Sequence, residues 1–251
     1  MIRKACDISA GFQYSWRKLS VIKKWLAAFV SLLFPRCCVV CGGPLAQGEA
    51  CICTMCNINL PRTGYHLRKD NPAEQLFWGK IPVERASSFF FYRKGSDYRH
   101  ILHRLKYRGE KETGEAMGRC MASELLSSGF FSGIDVIVPV PLHRKRHRAR
   151  GYNQSEWIAR GVSGVTGLPV ETDSVVRCKH TATQVGKSVF ARWENVDGIF
   201  SVVRPGRFAG KHVLIIDDVL TTGATTAACA CSLVEAGNVR VSILTLAVAA
   251  E

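Results

Sequence analysis

The chain has 251 residues, of which 47% are hydrophobic and 22% are charged, and its formal net charge is +14. The hydrophobic share excludes a generally disordered chain, because disordered chains have too few apolar residues to form a core. The positive charge favours a polyanionic partner, such as nucleic acid, a phosphorylated metabolite or an acidic membrane surface, over a basic surface that only keeps the protein in solution.

The first 34 residues contain one amphipathic segment. Apolar residues recur at helical spacing between Trp25 and Phe34, which predicts a helix that docks on the protein, with a helix lying on a membrane surface as the alternative. The segment is too short to span a bilayer, and Pro35 and Arg36 follow it where an exported protein has small residues for cleavage. We therefore expect a cytoplasmic protein without stable membrane insertion, in which cysteines bind metal rather than form disulfides.

Six of the 11 cysteines lie between residues 37 and 56, in a turn-rich segment. Four of them form two Cys-x2-Cys pairs, Cys38 with Cys41 and Cys53 with Cys56. Because two such pairs complete a closed set of four thiolates, the spacing predicts a structural Zn²⁺ site over disulfides or free thiols. A module of this size depends on its metal for folding. Two neighbouring cysteines could substitute as ligands, Cys37 and Cys51. The cysteines outside the module are expected to be small core residues: Cys120, Cys178, Cys229 and Cys231.

We divide the chain into an N-terminal segment with the amphipathic helix (1–34), a zinc-ribbon module (35–60) and a main domain (61–251). In the main domain, predicted strands alternate with predicted helices, which indicates an α/β fold with a parallel-type sheet flanked by helices. The predicted strands are residues 86–92, 134–140, 199–203, 213–216 and 239–248. The predicted helices are residues 98–107, 112–126, 154–165 and 223–236.

The run of residues 213–225, VLIIDDVLTTGAT, predicts a sugar-phosphate site. Its apolar start is typical of a strand covered on both faces, and Asp217 and Asp218 follow at the carboxyl end, where open α/β sheets bind ligands. Adjacent carboxylates can accept hydrogen bonds from sugar hydroxyls or hold a divalent cation. The next turn opens a helix, whose N–H groups attract phosphate. An ordinary capped helix would explain one acid and one threonine, but not the whole run. The turn residues are Thr221, Thr222, Gly223, Ala224 and Thr225.

A second run, VPVPLHRKRHRARGYNQ in residues 138–154, leads from a strand end into a basic cluster. The strand end should lie at the same edge of the sheet as the phosphate turn. A basic loop there could neutralise a pyrophosphate as it leaves. The alternative is a charge run that faces solvent or nucleic acid. The candidate contact residues are Arg144, Arg150, Tyr152, Asn153, Gln154 and Lys106.

Residues 213–225 resemble the signature with which type I phosphoribosyltransferases bind 5-phosphoribosyl 1-diphosphate (PRPP). Residues 138–154 resemble the ComF family, the competence-protein and GntX-like branch of phosphoribosyltransferase homologues. Residues 101–109 are similar to the Lys-Tyr-x-Gly run of that family, and the zinc-like module is a further mark of it. A later Gln…Arg…Asn…Phe pattern is matched by Thr183, Gln184, Arg192, Asn195 and Phe200.

The resemblance implies a phosphoribosyltransferase-like fold and a catalytic pair, Asp217 and Asp218, that holds the ribose hydroxyls. It implies that residues 221–225 surround the 5′-phosphate and that Mg²⁺ bridges pyrophosphate and ribose. The implied activity is pentosyl (phosphoribosyl) transfer to an acceptor that the motif does not identify. The alternative is a non-enzymatic protein that handles single-stranded DNA during competence and DNA uptake, together with a DNA-uptake helicase. Bases could then stack on aromatic residues near cations: Tyr107, Tyr152 and Trp157.

Overall fold

The structure, a computed structural model, describes residues 35–178 and 198–250. The predicted amphipathic helix lies outside the described residues, as do Thr183, Gln184, Arg192 and Asn195. Among the helices of these two ranges, none combines the length and the apolar character that a membrane span requires.

A four-stranded parallel sheet lies at the centre of the protein. The strands are β1 (Arg85–Tyr92), β2 (Val136–Pro139), β3 (Val175–Arg177), β4 (Phe200–Val202), β5 (His212–Leu220) and β6 (Arg240–Ala249). The central sheet has the order β1-β6-β5-β2, and each neighbouring pair is parallel. Strands β3 and β4 form a separate antiparallel pair.

Helices cover both faces of the sheet. They are α1 (Thr54–Ile58), α2 (Pro72–Gln75), α3 (Arg99–Tyr107), α4 (Lys111–Leu126), α5 (Arg144–Arg150), α6 (Gln154–Thr166) and α7 (Ala224–Glu235), with 3₁₀ turns at Tyr65–Leu67 and Pro205–Arg207. Successive residues of β5 point to opposite faces. Leu214 and Ile216 pack in one core with α4 and α6, whereas Val213 and Ile215 pack in the other with α7. The fold class expected from the alternating pattern, a parallel α/β sheet flanked by helices, is confirmed.

Helices α4 and α6 cross at glycines, which allows their backbones to touch. A Cβ atom on Gly118 would lie 2.2 Å from the carbonyl oxygen of Ile158, and one on Gly161 would lie 2.1 Å from that of Glu115. Neither position can therefore accept a side chain without moving a helix. This crossing fixes the position of α6, whose first turn reaches the candidate site described below.

Three expectations from the sequence are corrected. Strand β5 does not end at Ile216 but continues to Leu220, because β6 is long enough to pair with it beyond the two acids. The expected basic loop is instead the helix α5, whose N-terminus is capped by the His143 ring and whose end is marked by Gly151 in the left-handed region, with φ 77°. The strand expected at residues 199–203 exists, but it belongs to the β3–β4 pair.

The cysteines outside the module do not all lie in the core. Cys229 is buried, as expected, whereas Cys178 is exposed, and Cys120 and Cys231 are half-buried. Cys178 lies just after the short strand β3, on the edge of a two-stranded sheet that leaves it open to solvent.

Candidate functional site

Two carboxylates from β5 meet side chains of two helices at the carboxyl edge of the sheet. The Oδ1 atom of Asp217 accepts hydrogen bonds from Ser155 Oγ at 2.9 Å and from the backbone N–H of Asp218 at 2.8 Å. Asp218 Oδ2 forms an ion pair with Lys106 Nζ at 3.0 Å, and the two side chains are 15% and 24% exposed. The last turn of α3, the first turn of α6 and the end of β5 therefore converge on the acid pair.

The acid pair is electrostatically uneven. Burial, followed by the charge of Asp218, raises the pKa of Asp217 to about 7, although the Asp218 N–H, the Ser155 hydroxyl and Lys106 act in the opposite direction. Because that pKa lies near neutrality, Asp217 can gain or lose a proton with a small change in pH.

The turn after β5 has a backbone conformation that favours glycine. Gly223 is buried with φ 76°, in the left-handed region, and a Cβ atom there would lie 3.1 Å from the ring of Phe77. Among the described residues, no side chain caps the N-terminus of α7, which begins directly after this glycine. The N–H groups of the first turn are thus left for another acceptor. The side-chain cap of an ordinary capped helix, which was the alternative to a phosphate site, is absent from this turn among the described residues.

The residues that follow α5 hold this part of the fold together. Tyr152 is 5% exposed, and its hydroxyl donates to the carbonyl of Leu105. Asn153 caps α6 by accepting from the N–H of Ser155 at 3.2 Å, and its amide donates to the carbonyl of Val140 at 3.0 Å. These contacts connect the end of β2, the start of α6 and the last turn of α3.

Gln154 differs from its neighbours in having an unused donor. It is 1% exposed, and its Nε2 atom is buried without a hydrogen-bond partner in the described part of the chain. An unpaired buried donor costs about 1–3 kcal/mol, so a group of this kind calls for a partner such as water or ligand.

Helix α5 presents most of its cations to solvent. Arg144, Lys145 and Arg148 are exposed, whereas Arg146 and Arg150 are half-buried. The sequence correctly indicated a dense basic surface here, although it is carried by a helix.

Two residues near the acids were missed by the sequence analysis. Ser155 lies one residue beyond the candidate Gln154, and its place in the first turn of α6 could have suggested it. Arg177 ends β3, a strand of three residues with no detectable pattern. Burial and the charge of Arg146 lower its pKa, while the charge of Asp217 raises it, so its guanidinium is within electrostatic reach of both.

The second cluster consists of four cysteines in the N-terminal module. The sulfur atoms of Cys38, Cys41, Cys53 and Cys56 all lie within 4.8 Å of one another. The Cys53 N–H donates to Cys38 Sγ at 3.3 Å, and the Cys56 N–H donates to Cys53 Sγ at 3.5 Å. Four thiols this close together could hold a metal ion such as zinc.

The thiols of this cluster differ in how readily they ionise. Burial opposes ionisation of Cys38, but backbone N–H groups, those of Cys41 and Cys53 foremost, lower its pKa to about 7. Burial and the neighbouring thiols raise the pKa of Cys56. The two cysteines that the sequence left as possible substitutes do not belong to the cluster. Cys37 is exposed and donates to the carbonyl of Pro35, and Cys51 is buried in the core.

Known proteins with similar sequences have names that refer to DNA utilization or to competence. The DNA utilization protein YhgH of Escherichia coli (strain K12) is 30% identical over 227 residues, which cover 84% of this chain and 96% of that protein. Competence protein F of Haemophilus influenzae is 39% identical over 92 residues, which cover 36% of this chain and 40% of that protein. The chain belongs to the ComF family. A further ComF-family relative, competence protein ComFC of Bacillus subtilis, is 24% identical over 237 residues, 93% of this chain and 88% of that protein. No protein-family model matches this ComF-family chain.

Solved phosphoribosyltransferases are among the structures similar to this ComF-family chain. A glutamine PRPP amidotransferase from Bacillus subtilis gives a TM-score of 0.34 at 27% identity, covering 52% of this chain and 25% of that one. An adenine phosphoribosyltransferase from Leishmania tarentolae gives a TM-score of 0.37 at 15% identity, covering 75% of this chain and 94% of that one. Because these TM-scores are low, family membership rests on the sequence relatives.

Proposed function

We propose that the chain binds PRPP with Mg²⁺ at the carboxyl edge of its parallel sheet. The observation that carries this proposal is the order of features at the end of β5: two carboxylates, a glycine in the left-handed region and a helix without a side-chain cap. A helix N-terminus favours phosphate because its N–H groups and its dipole both attract an anion.

Each part of the ligand has a proposed set of contacts. The catalytic pair Asp217 and Asp218 would accept hydrogen bonds from the ribose hydroxyls. The 5′-phosphate would lie at the start of α7. The residues proposed to surround it are Thr221, Thr222, Gly223, Ala224 and Thr225.

The pyrophosphate would lie between the acid pair and α5. Lys106 already pairs with Asp218 at 3.0 Å, and Gln154 has a buried donor that a ligand oxygen would satisfy. Arg144 and Arg150 add positive charge from the two ends of α5. For Tyr152 and Asn153 we propose an indirect role, because their polar groups are engaged in holding this segment in place.

The donor set fits magnesium, since carboxylate and phosphate oxygens are its preferred ligands. Bound there, Mg²⁺ would offset the charge of the pyrophosphate. The proposed reaction is displacement of pyrophosphate at the anomeric carbon: the C1–O bond breaks, a bond from C1 to the acceptor forms, and the acceptor loses a proton. Carboxylates beside the ribose and cations beside the pyrophosphate both stabilise an oxocarbenium-like transition state. A carboxyl whose pKa is about 7, as in Asp217, is suited to taking up a proton at neutral pH.

Calorimetric titration with PRPP tests the proposal. We expect binding that requires Mg²⁺ and that falls by about tenfold or more in Asp218→Asn, because a hydrogen bond to a charged group contributes about 1.5–3 kcal/mol. Asp173→Asn, at an exposed carboxylate on the loop before β3, is the matched control. Undiminished PRPP binding in both Asp217→Asn and Asp218→Asn would remove the acid pair from the site. Release of pyrophosphate in the presence of candidate acceptors would distinguish a transferase from a binding protein.

The four-cysteine cluster is proposed to hold a structural Zn²⁺. All four positions of a tetrahedral site are supplied by thiolates, which leaves none for a substrate. The module also contributes Val39, Cys51 and Leu60 to the core that contains β5 and β6. Zinc would therefore support the packing of the main domain as well as the fold of the module.

A second candidate function, the handling of single-stranded DNA, is favoured by the exposed cations of α5. It agrees with the names of the relatives, which refer to DNA utilization and competence. Cations on one helix can follow a phosphate backbone, and such binding weakens steeply with salt.

The salt dependence of DNA binding tests this candidate. Replacing Arg144, Lys145 and Arg148 by serine should lower affinity and reduce the salt slope by about 2, at roughly 0.7 per phosphate contact. The control replaces two arginines and one lysine that precede β5, at the opposite edge of the sheet: Arg204, Arg207 and Lys211. If the control variant loses as much affinity as the α5 variant, general charge and not this helix accounts for the binding.

A further inference from the structure

The aromatic ring of Tyr107 is exposed at the end of α3. Tyr107 is the last residue of that helix and is 69% exposed. A tyrosine buries a large apolar area when it packs, so a ring this exposed contributes little to the core.

Two flat side chains adjoin this ring. The His103 ring lies one helical turn earlier, with its centroid 5.0 Å from that of Tyr107 and the planes inclined by 45°. The Arg150 guanidinium carbon lies 5.7 Å from the Tyr107 centroid. With both neighbours in place, Tyr107 is still 69% exposed.

The group formed by Tyr107, His103 and Arg150 adjoins the acid pair. Lys106, the residue before Tyr107, forms the ion pair with Asp218. Arg150 ends α5 and directly precedes the segment that caps α6 beside Asp217. A ligand with its sugar at the acids therefore has an aromatic ring and a guanidinium within a short reach.

The other two aromatic candidates from the sequence are less exposed than Tyr107. The Tyr152 ring is buried, with Lys111 Nζ 5.6 Å from its centroid. Trp157 is half-buried, and Lys111 and Arg160 both lie over its ring, at 5.6 Å and 4.9 Å. Of the three, Tyr107 is the ring that solvent can reach most freely.

We propose that Tyr107, with His103 and Arg150, forms a platform on which a nucleobase stacks next to the phosphoribosyl site. The proposal rests on the proposed function for the position of the sugar and phosphate. Nucleobases stack on aromatic rings and on guanidinium groups, and every base offers such a face. The positive charges of Lys106, Arg108 and Arg150 suit the phosphates that a nucleotide carries. The ligand class is thus a nucleobase with its sugar and phosphate, as a free nucleotide or within a single strand.

The test compares ligands with and without a base. One arm measures affinity for a short oligothymidylate and for an abasic strand of equal length, and the other for thymidine 5′-monophosphate and ribose 5-phosphate. The wild-type protein should prefer the base-containing member of at least one pair. Tyr107→Ala should reduce that affinity by about 5- to 150-fold and leave the abasic partner unaffected, whereas Tyr107→Phe should retain it. A loss confined to one arm identifies the strand or the free nucleotide as the source of the base.

Leu126→Ala, at an exposed apolar residue that ends α4, is the control for a general loss of surface. The inference is overturned if the wild-type protein does not discriminate by the base in either arm, or if Tyr107→Ala weakens both members of each pair equally. PRPP affinity, measured on the same variants, separates the two proposals, because PRPP has no base. Base preference without PRPP binding refutes the proposed function alone, and PRPP binding without base preference refutes the platform alone.

Discussion

Asp217 is the residue whose chemistry depends most on its surroundings. It follows four buried apolar residues on β5 and is held by Ser155 from α6. Its neighbour Asp218 instead forms an ion pair with Lys106. Two carboxyl groups adjacent in sequence thus have different hydrogen-bonding and ionic partners.

The raised pKa of Asp217 predicts how stability depends on pH. In the folded protein this pKa is about 7 and in an unfolded chain it is close to 3.8, so between these values the folded state holds a proton that the unfolded state has lost. Stability therefore falls as pH rises through this window. Asp217→Asn removes the titrating group but keeps the Oδ1 acceptor. Relative to wild type, its free energy of unfolding should improve from pH 4 to pH 8 by on the order of 1–3 kcal/mol.

Urea unfolding at a series of pH values measures this difference, with Asp173→Asn as the exposed control. If wild type and Asp217→Asn change in parallel across the window, the carboxyl does not titrate near neutrality in the folded protein.

The close crossing of α4 and α6 predicts that a larger residue at the contact lowers stability. Gly118→Ala would place a Cβ atom 2.2 Å from a backbone carbonyl, which must push the helices apart. We expect a loss of about 1–3 kcal/mol in the free energy of unfolding, as for other overpacked contacts. PRPP affinity should also fall, because α6 carries Ser155 and Gln154. Gly95→Ala, where a Cβ atom meets nothing within 4 Å, is the control. Equal stability of the two variants would mean that the helices are not in close contact.

The glycine turn before α7 can be tested separately from stability. Gly223→Ala and Gly210→Ala both force a side chain into the left-handed region, at φ 76° and 72°. Each should cost roughly 1 kcal/mol of stability, and more at Gly223, where the ring of Phe77 is close. Only Gly223→Ala should weaken PRPP binding in calorimetry. A similar loss of affinity in Gly210→Ala would assign the effect to stability instead of the turn.

Elements with strong local signals could be predicted from the sequence, whereas contacts between elements could not. The apolar run before Asp217 marks β5, and the acids with Gly223 mark the candidate site. Helix α5 has no apolar periodicity, since nearly every residue is basic, so it resembled a loop. The ion pair of Lys106 with Asp218 joins residues far apart in the chain, and only the packing of α3 on the sheet brings them together.

At the scale of the whole molecule, the cysteine module and the main domain share a core. Val39, Cys51 and Leu60 belong to the same buried cluster as residues of β5 and β6. Removing zinc should therefore lower the thermal stability of the main domain as well as unfold the module. We expect stoichiometric zinc in the purified protein, its loss in Cys38→Ser, and its retention in Cys37→Ser, whose thiol lies outside the cluster.

Metal analysis and thermal melts of these two variants check the prediction. Full zinc content in Cys38→Ser would contradict the four-thiolate assignment. An unchanged melting temperature after chelation would mean that the metal does not support the shared core.

The central claim is that the turn after β5 and the acid pair bind the two ends of a phosphoribosyl group. A crystal structure of the protein grown with PRPP and Mg²⁺ tests it most directly. The account predicts phosphate density at the N–H groups of the first turn of α7, with ribose hydroxyls on Asp217 and Asp218. Phosphate density bound elsewhere, with the turn and the acid pair unoccupied, would contradict it.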